Sequence, residues 1–176
     1  MILCAGRNET FDFAKPIGVG LVESATNLTQ LIIEEKPAFL LFVGTAGSYG
    51  RYKIFDIVQS HKASNIELCY TPLTSHIETT PPHVSRGTNA LSPIVNSSNY
   101  ITIDDSLAKK MLSQSIELEN MEFFSVLHVA KKFHIPCSGL FVVTNYCNEH
   151  AHRDFMQNHT RAKELITLHV EKNMKI

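Results

Sequence analysis

Apolar residues recur along this chain with two periods, and the switching between them reads as strands and helices in turn. Ile2 to Ala5 and Phe11 to Ile17 are short apolar runs joined by the polar turn Arg7-Asn8-Glu9-Thr10, the pattern of two strands. Gly18-Val19-Gly20 then opens a segment in which Leu21, Ala25, Leu28 and Ile32 fall on one helical face, and Pro37 ends it. Ala38 to Val43 is unbroken apolar sequence, as expected of a strand covered on both sides. It empties into the glycine-rich Gly44-Thr45-Ala46-Gly47-Ser48-Tyr49-Gly50. Further strands are predicted over Phe55 to Val58 and Ile66 to Tyr70. From Thr71 to Asn99 the chain is rich in Pro, Ser, Thr and Asn, and a loop of that length is usually functional or disordered.

Beyond it, Ser106 to Gln114 reads as a helix capped by Asp104-Asp105. Ile116 and Leu118 alternate with Glu117 and Glu119, a strand pattern. Met121 to His134 returns to helical spacing through Phe123, Val126, Leu127, Ala130 and Phe133. Gly139 to Thr144 is a second buried strand, and a last helix is predicted from Phe155 to Glu171. The alternation predicts one α/β domain with a central mixed, mainly parallel, twisted sheet flanked by helices. No internal repeat is present.

Composition narrows the function classes. A length of 176 residues fits one self-sufficient core, and a net charge of −1 without a basic stripe argues against nucleic acid or an anionic membrane as partner. No apolar run approaches the roughly 18 residues of a membrane-spanning helix. Cys4, Cys69, Cys137 and Cys147 form no CxxC pair, so reduced thiols in a cytoplasmic protein are expected. His150-Ala151-His152 lacks the i, i+4 spacing of a helical metal pair and no third ligand stands out, so no metal is expected.

The candidate chemistry lies at Met121-Glu122 and Asn145. Fourteen residues separate Glu122 from Pro136, and nine separate Pro136 from Asn145. This puts a carboxylate at the start of a helix and an amide at the end of the next strand, both at the carboxyl edge of the sheet where open α/β folds bind ligands. A carboxylate only accepts hydrogen bonds and suits sugar hydroxyls. An amide donates and accepts and suits a purine edge. Cleavage of a nucleoside would use that pairing.

Four segments in this order resemble the purine and uridine phosphorylase superfamily, which includes the methylthioadenosine/S-adenosylhomocysteine nucleosidases. Residues 2–20, ILCAGRNETFDFAKPIGVG, look like a hairpin ending in a G-x-G turn. Residues 36–47, KPAFLLFVGTAG, resemble the buried strand and G-[ST]-x-G loop. Residues 95–101, VNSSNYI, resemble the segment that sets an aromatic ring against the base. Residues 120–145 resemble the Met-Glu helix and the strand ending in the base-binding residue.

The resemblance implies that Glu122 accepts hydrogen bonds from ribose, above Met121, and supports a cationic sugar. It implies that Tyr100 stacks on the base and that Thr45, beside Gly47, touches phosphate or ribose. The pair Thr144-Asn145 looks like the Thr-Asn of phosphorylases specific for 6-oxopurines, where other relatives carry an aspartate. The main expectation is a purine nucleoside phosphorylase of purine salvage, a glycosyltransferase with phosphate as co-substrate, no further cofactor, and a homo-oligomeric state. A water-using nucleosidase and a nucleoside-binding protein without turnover are the alternatives. Two departures bear on the choice. The family's first strand, with the loop that carries its phosphate or water ligands, is read as absent ahead of the hairpin. Phe42 also stands where hexameric phosphorylases place a phosphate-binding arginine. Arg7, Arg51, Arg86, Arg153, His76 and His83 remain as candidates to reach the site.

Overall fold

The computed structural model describes residues 1–67 and 92–174. The candidates His76, His83 and Arg86 lie outside the described residues, as do Cys69 and most of the strand expected over 66–70. Twelve elements follow in the order β1 (Ile2–Cys4), β2 (Lys15–Pro16), α1 (Leu21–Glu35), β3 (Leu40–Ser48), β4 (Ile57–Ser60), β5 (Lys62–Ser64), β6 (Ile94–Ser97), α2 (Asp105–Ser113), β7 (Ile116–Asn120), α3 (Phe123–Lys132), β8 (Cys137–Tyr146) and α4 (Ala151–Met174). The fold is the predicted one: a mixed, mainly parallel sheet in a single α/β domain, with helices on its faces.

The two apolar runs form its centre. β3 and β8 pair in parallel from Leu40↔Cys137 onward, and β3 is buried along its whole length. Their side chains alternate between two cores, as the pleat requires. Phe42, Phe141 and Val143 enter the core with Leu28 of α1 and Phe123 and Val126 of α3. Val43, Leu140 and Val142 enter the other, with Ala162, Ile166 and Val170 of α4. The last helix therefore begins four residues earlier than the apolar period indicated. Helix α1 ends where Lys36 turns left-handed, φ 47°, and returns its N–H to Ile32 ahead of Pro37.

Gly139 is where the sheet meets the α3 face. A Cβ there would lie 2.5 Å from the Phe141 ring and 2.7 Å from the Phe123 ring, and both phenylalanines are fully buried. Gly139→Ala is expected to cost about 1–3 kcal/mol through overpacking, read as a lower urea midpoint with unchanged slope.

Residues 2–20 are not a hairpin. β1 and β2 pair in parallel, Leu3↔Lys15 and Cys4↔Pro16, while the other edge of β1 pairs in parallel with β3. A tight turn, with Gly6 and Glu9 exchanging both backbone hydrogen bonds, throws the chain out of β1. Phe11 then packs onto the α4 side before the chain returns. Apolar runs either side of a polar turn carry no information about strand direction. β4 also lies two residues later than expected. The stretch read as irregular up to Asn99 contains β6, a strand whose Asn96 and Ser97 are fully buried. No helix among the described residues is long and apolar enough to cross a membrane.

Candidate active site

The carboxyl ends of β1, β3, β7 and β8 open into one cleft of about 300 Å³. Thr45, Gly47, Tyr100, Met121, Glu122, Thr144 and Asn145 all line it. The carboxylate and the amide singled out from spacing thus share a pocket.

Glu122 is the residue preceding α3, yet its side chain does not cap that helix. Oε1 instead accepts from the Gly20 amide at 3.0 Å, 102 residues away in sequence. Oε2 accepts from Met121 N at 3.2 Å and Asn120 Nδ2 at 3.3 Å. Burial pushes the Glu122 carboxyl up to about 7, the Gly20 hydrogen bond opposes this, and the negative charge of Glu9 adds to it. Gly20 has φ 84°, a left-handed conformation that glycine adopts without strain, and this presents its N–H to Glu122.

Asn145 is aimed by an irregularity. Ala46 pairs with Val143 but Gly47 pairs with Asn145, so Thr144 is an extra residue bulged out of the ladder. Bulges re-aim side chains beside functional sites, and here successive residues reach the same cleft. Asn145 Oδ1 accepts from Thr144 Oγ1 at 2.9 Å, and one Nδ2 hydrogen goes to Tyr146 O at 3.2 Å. The second Nδ2 hydrogen has no partner among the described residues, so the amide presents a donor to the cleft. Gly47 makes room for it, since a Cβ there would lie 3.1 Å from Asn145 Nδ2 and 2.9 Å from Cys147 Sγ.

Tyr100 lines the cleft and is 71% exposed. Its segment is tied down by buried Glu119, which accepts from Thr102 N at 2.9 Å, Thr102 Oγ1 at 2.7 Å and Tyr49 Oη at 2.8 Å.

Sequence reasoning missed Glu9. It comes from the turn after β1, lines the cleft, and sits against the Gly44–Gly47 stretch, which is part of strand β3 rather than the expected loop: its Oε1 accepts from Thr45 N at 3.1 Å and from the Thr45 hydroxyl. Its Oε2 lies 3.0 Å from where a Gly44 Cβ would stand, so the bare glycine accommodates the carboxylate. The signal was available: an acidic residue in a glycine turn directly after a buried strand, at the same sheet edge as Thr45. Asn120, His152 and Phe155 are among the other lining residues that were missed.

The arginine candidates divide. Arg7 lines the cleft and lies 3.8 Å from Glu23. Arg51 pairs with Glu117 at 3.9 Å and Arg153 with Asp154 at 3.0 Å, and neither lines the cleft. His150 pairs with Glu149 at 3.5 Å, and no group of three metal-binding side chains occurs among the described residues.

No family model and no curated protein matches the sequence. Solved structures do match the fold. The futalosine hydrolase of Helicobacter pylori is 19% identical, with a TM-score of 0.77, over 94% of this chain and 92% of that one. The methylthioadenosine nucleosidase of the same organism, as a mutant with 5'-methylthioadenosine in its active site, is 18% identical with a TM-score of 0.77, over 97% and 95%. The methylthioadenosine/S-adenosylhomocysteine nucleosidase of Streptococcus pneumoniae is 13% identical with a TM-score of 0.73, over 95% and 94%. The chain therefore has the fold of these nucleosidases and of the futalosine hydrolase.

Proposed function

We propose that the protein is a purine nucleoside hydrolase, cleaving the N-glycosidic bond with water and preferring 6-oxopurine nucleosides such as inosine and guanosine. The observation that carries this reading is the Glu9 carboxylate seated on the amide and hydroxyl of Thr45. Those donors are the anion seat that phosphorolysis would require, and a side chain of the protein already fills it. A second anion there would meet the negative charge of Glu9. The alternative of a water-using nucleosidase thus replaces phosphorolysis, and Thr45 becomes a holder of Glu9. The similar folds belong to proteins described as nucleosidases and a hydrolase, which supports the same choice.

In this mechanism the C1′–N9 bond breaks as positive charge grows on the ribose. Glu122, as carboxylate, accepts from the ribose hydroxyls and stabilises that charge. Met121 lies under the sugar and Tyr100 over the base, a stacking contact of roughly 1–3 kcal/mol. Glu9 takes a proton from water as its oxygen bonds to C1′. The bonding pair leaves with the purine, whose ring nitrogen accepts a hydrogen bond from the free Asn145 N–H; the departing purine takes its proton from solvent, to which Glu9 returns the one it accepted. The products are ribose and free base.

One observation favours a second reading. Asn145 has no proton to give, so a nucleoside could be held without being cleaved. Incubation with inosine or guanosine, with and without phosphate, separates the possibilities. Base release independent of phosphate is expected. Ribose 1-phosphate would restore phosphorolysis, and tight binding without products would establish the binding protein. Asn145→Asp is expected to move the adenosine-to-inosine ratio of kcat/KM toward adenosine by about one to two decades, the worth of one charged hydrogen bond. An unchanged ratio would take the base away from Asn145. A homo-oligomer and a cytoplasmic location are proposed alongside, on the resemblance and the thiol content respectively.

A further inference from the structure

Helix α4 places a histidine beside the proposed water-activating group. His159 Nε2 is buried and has no hydrogen-bond partner among the described residues. It lies 3.7 Å from Glu9 Oε1, and the two side chains are only 13% and 14% exposed. The ring packs against Phe155, a cleft residue, at 4.9 Å between centroids. A buried polar group left unpaired costs about 1–3 kcal/mol, so folding stability does not account for an imidazole at this position.

The oxygens of Glu9 are unequal. Oε1 accepts from Thr45 N and Thr45 Oγ1, whereas Oε2 accepts from no described residue. An Nε2–H directed at Oε1 adds a third donor on one oxygen and leaves the other for water. We propose that His159 is a positioning residue, holding Glu9 Oε1 through its imidazole N–H so that Oε2 is presented to the hydrolytic water. At 3.7 Å the pair stands just beyond the 2.7–3.2 Å of an N–H···O bond, and it closes when a nucleoside fills the cleft, as catalytic contacts commonly do. This rests on the hydrolytic reading of Glu9.

The test compares His159→Phe, His159→Gln, Glu9→Gln and the double variant Glu9→Gln/His159→Phe, with melting temperatures measured for all four. His159→Phe is expected to lower kcat for inosine about 10–100-fold, the scale of a small displacement of a catalytic group, with KM changed less than about threefold. His159→Gln, which keeps an N–H, recovers part of the loss. Added to Glu9→Gln, His159→Phe produces no further loss, whereas a merely structural residue would. Full kcat in His159→Phe, or additive losses, overturns the proposal. If Glu9→Gln itself keeps full activity, the hydrolytic reading falls and this one with it; an inactive Glu9→Gln beside a fully active His159→Phe removes only this one. A readout needing no turnover is the ¹⁵N resonance of His159 Nε2, which is expected to move when Glu9 becomes glutamine. A resonance that stays in place overturns the pairing.

Discussion

Glutamine at position 9 is expected to reduce kcat for inosine about 10²–10⁴-fold, the usual worth of a positioned general base, while nucleoside binding persists. Glutamine keeps the shape and an oxygen for the Thr45 amide, so the fold and the seat at Thr45 survive. What disappears is the atom able to take a proton from water. Added phosphate is expected to restore nothing, because the glutamine still occupies the Thr45 donors that an anion would need. Retention of wild-type kcat, or rescue by phosphate, would take water activation away from this residue. Removing the Glu9 charge also relieves Glu122 of one of the influences that raise its pKa.

The second large effect belongs to Glu122 and depends on pH. Glu122→Ala is expected to lower turnover at least about tenfold, since a charged hydrogen bond to the sugar is worth about 1.5–3 kcal/mol. With its carboxyl raised to about 7 by burial, the free protein gains the working carboxylate only as pH rises, so kcat/KM climbs through that value. Stability moves the opposite way. Between the ordinary value of 4.5 and about 7, the folded chain holds a proton that the unfolded chain has released. The stabilisation is complete below pH 4.5 and is lost as pH rises through 7. Across that window wild-type protein is expected to lose about 3 kcal/mol more than Glu122→Gln, which has no group to titrate there. Denaturant midpoints at a series of pH values check this, and equal slopes for the two proteins would contradict it.

The parts of the fold legible in the sequence are those whose burial is symmetrical. β3 and β8 are covered on both faces and read as continuous apolar runs, and α1 and α3 show the helical period. β6 was illegible because two of its three buried residues, Asn96 and Ser97, are polar. Asn96 is satisfied by Ser64 and the backbone of Ile66, and Ser97 by Asn120 and the amide of Phe124. Such tertiary pairing leaves no hydropathy signal. The direction of β2 could not be read either, since it depends on which edge of β1 lies against β3. In the site, the Glu122–Asn145 pairing was visible because both residues are held by one helix–strand unit. Glu9 was not, because the turn after β1 was assigned to a hairpin. His159 carried no signal at all, as only the packing of α4 brings it to Glu9.

The seat at Thr45 has a consequence for the setting in which the protein works. A cleft that satisfies its own donors needs no counter-ion at rest, and the hydrolysis proposed for it would yield two uncharged products. Turnover governed by such a cleft would be indifferent to the phosphate and sulfate around it, leaving nucleoside supply alone to set the flux.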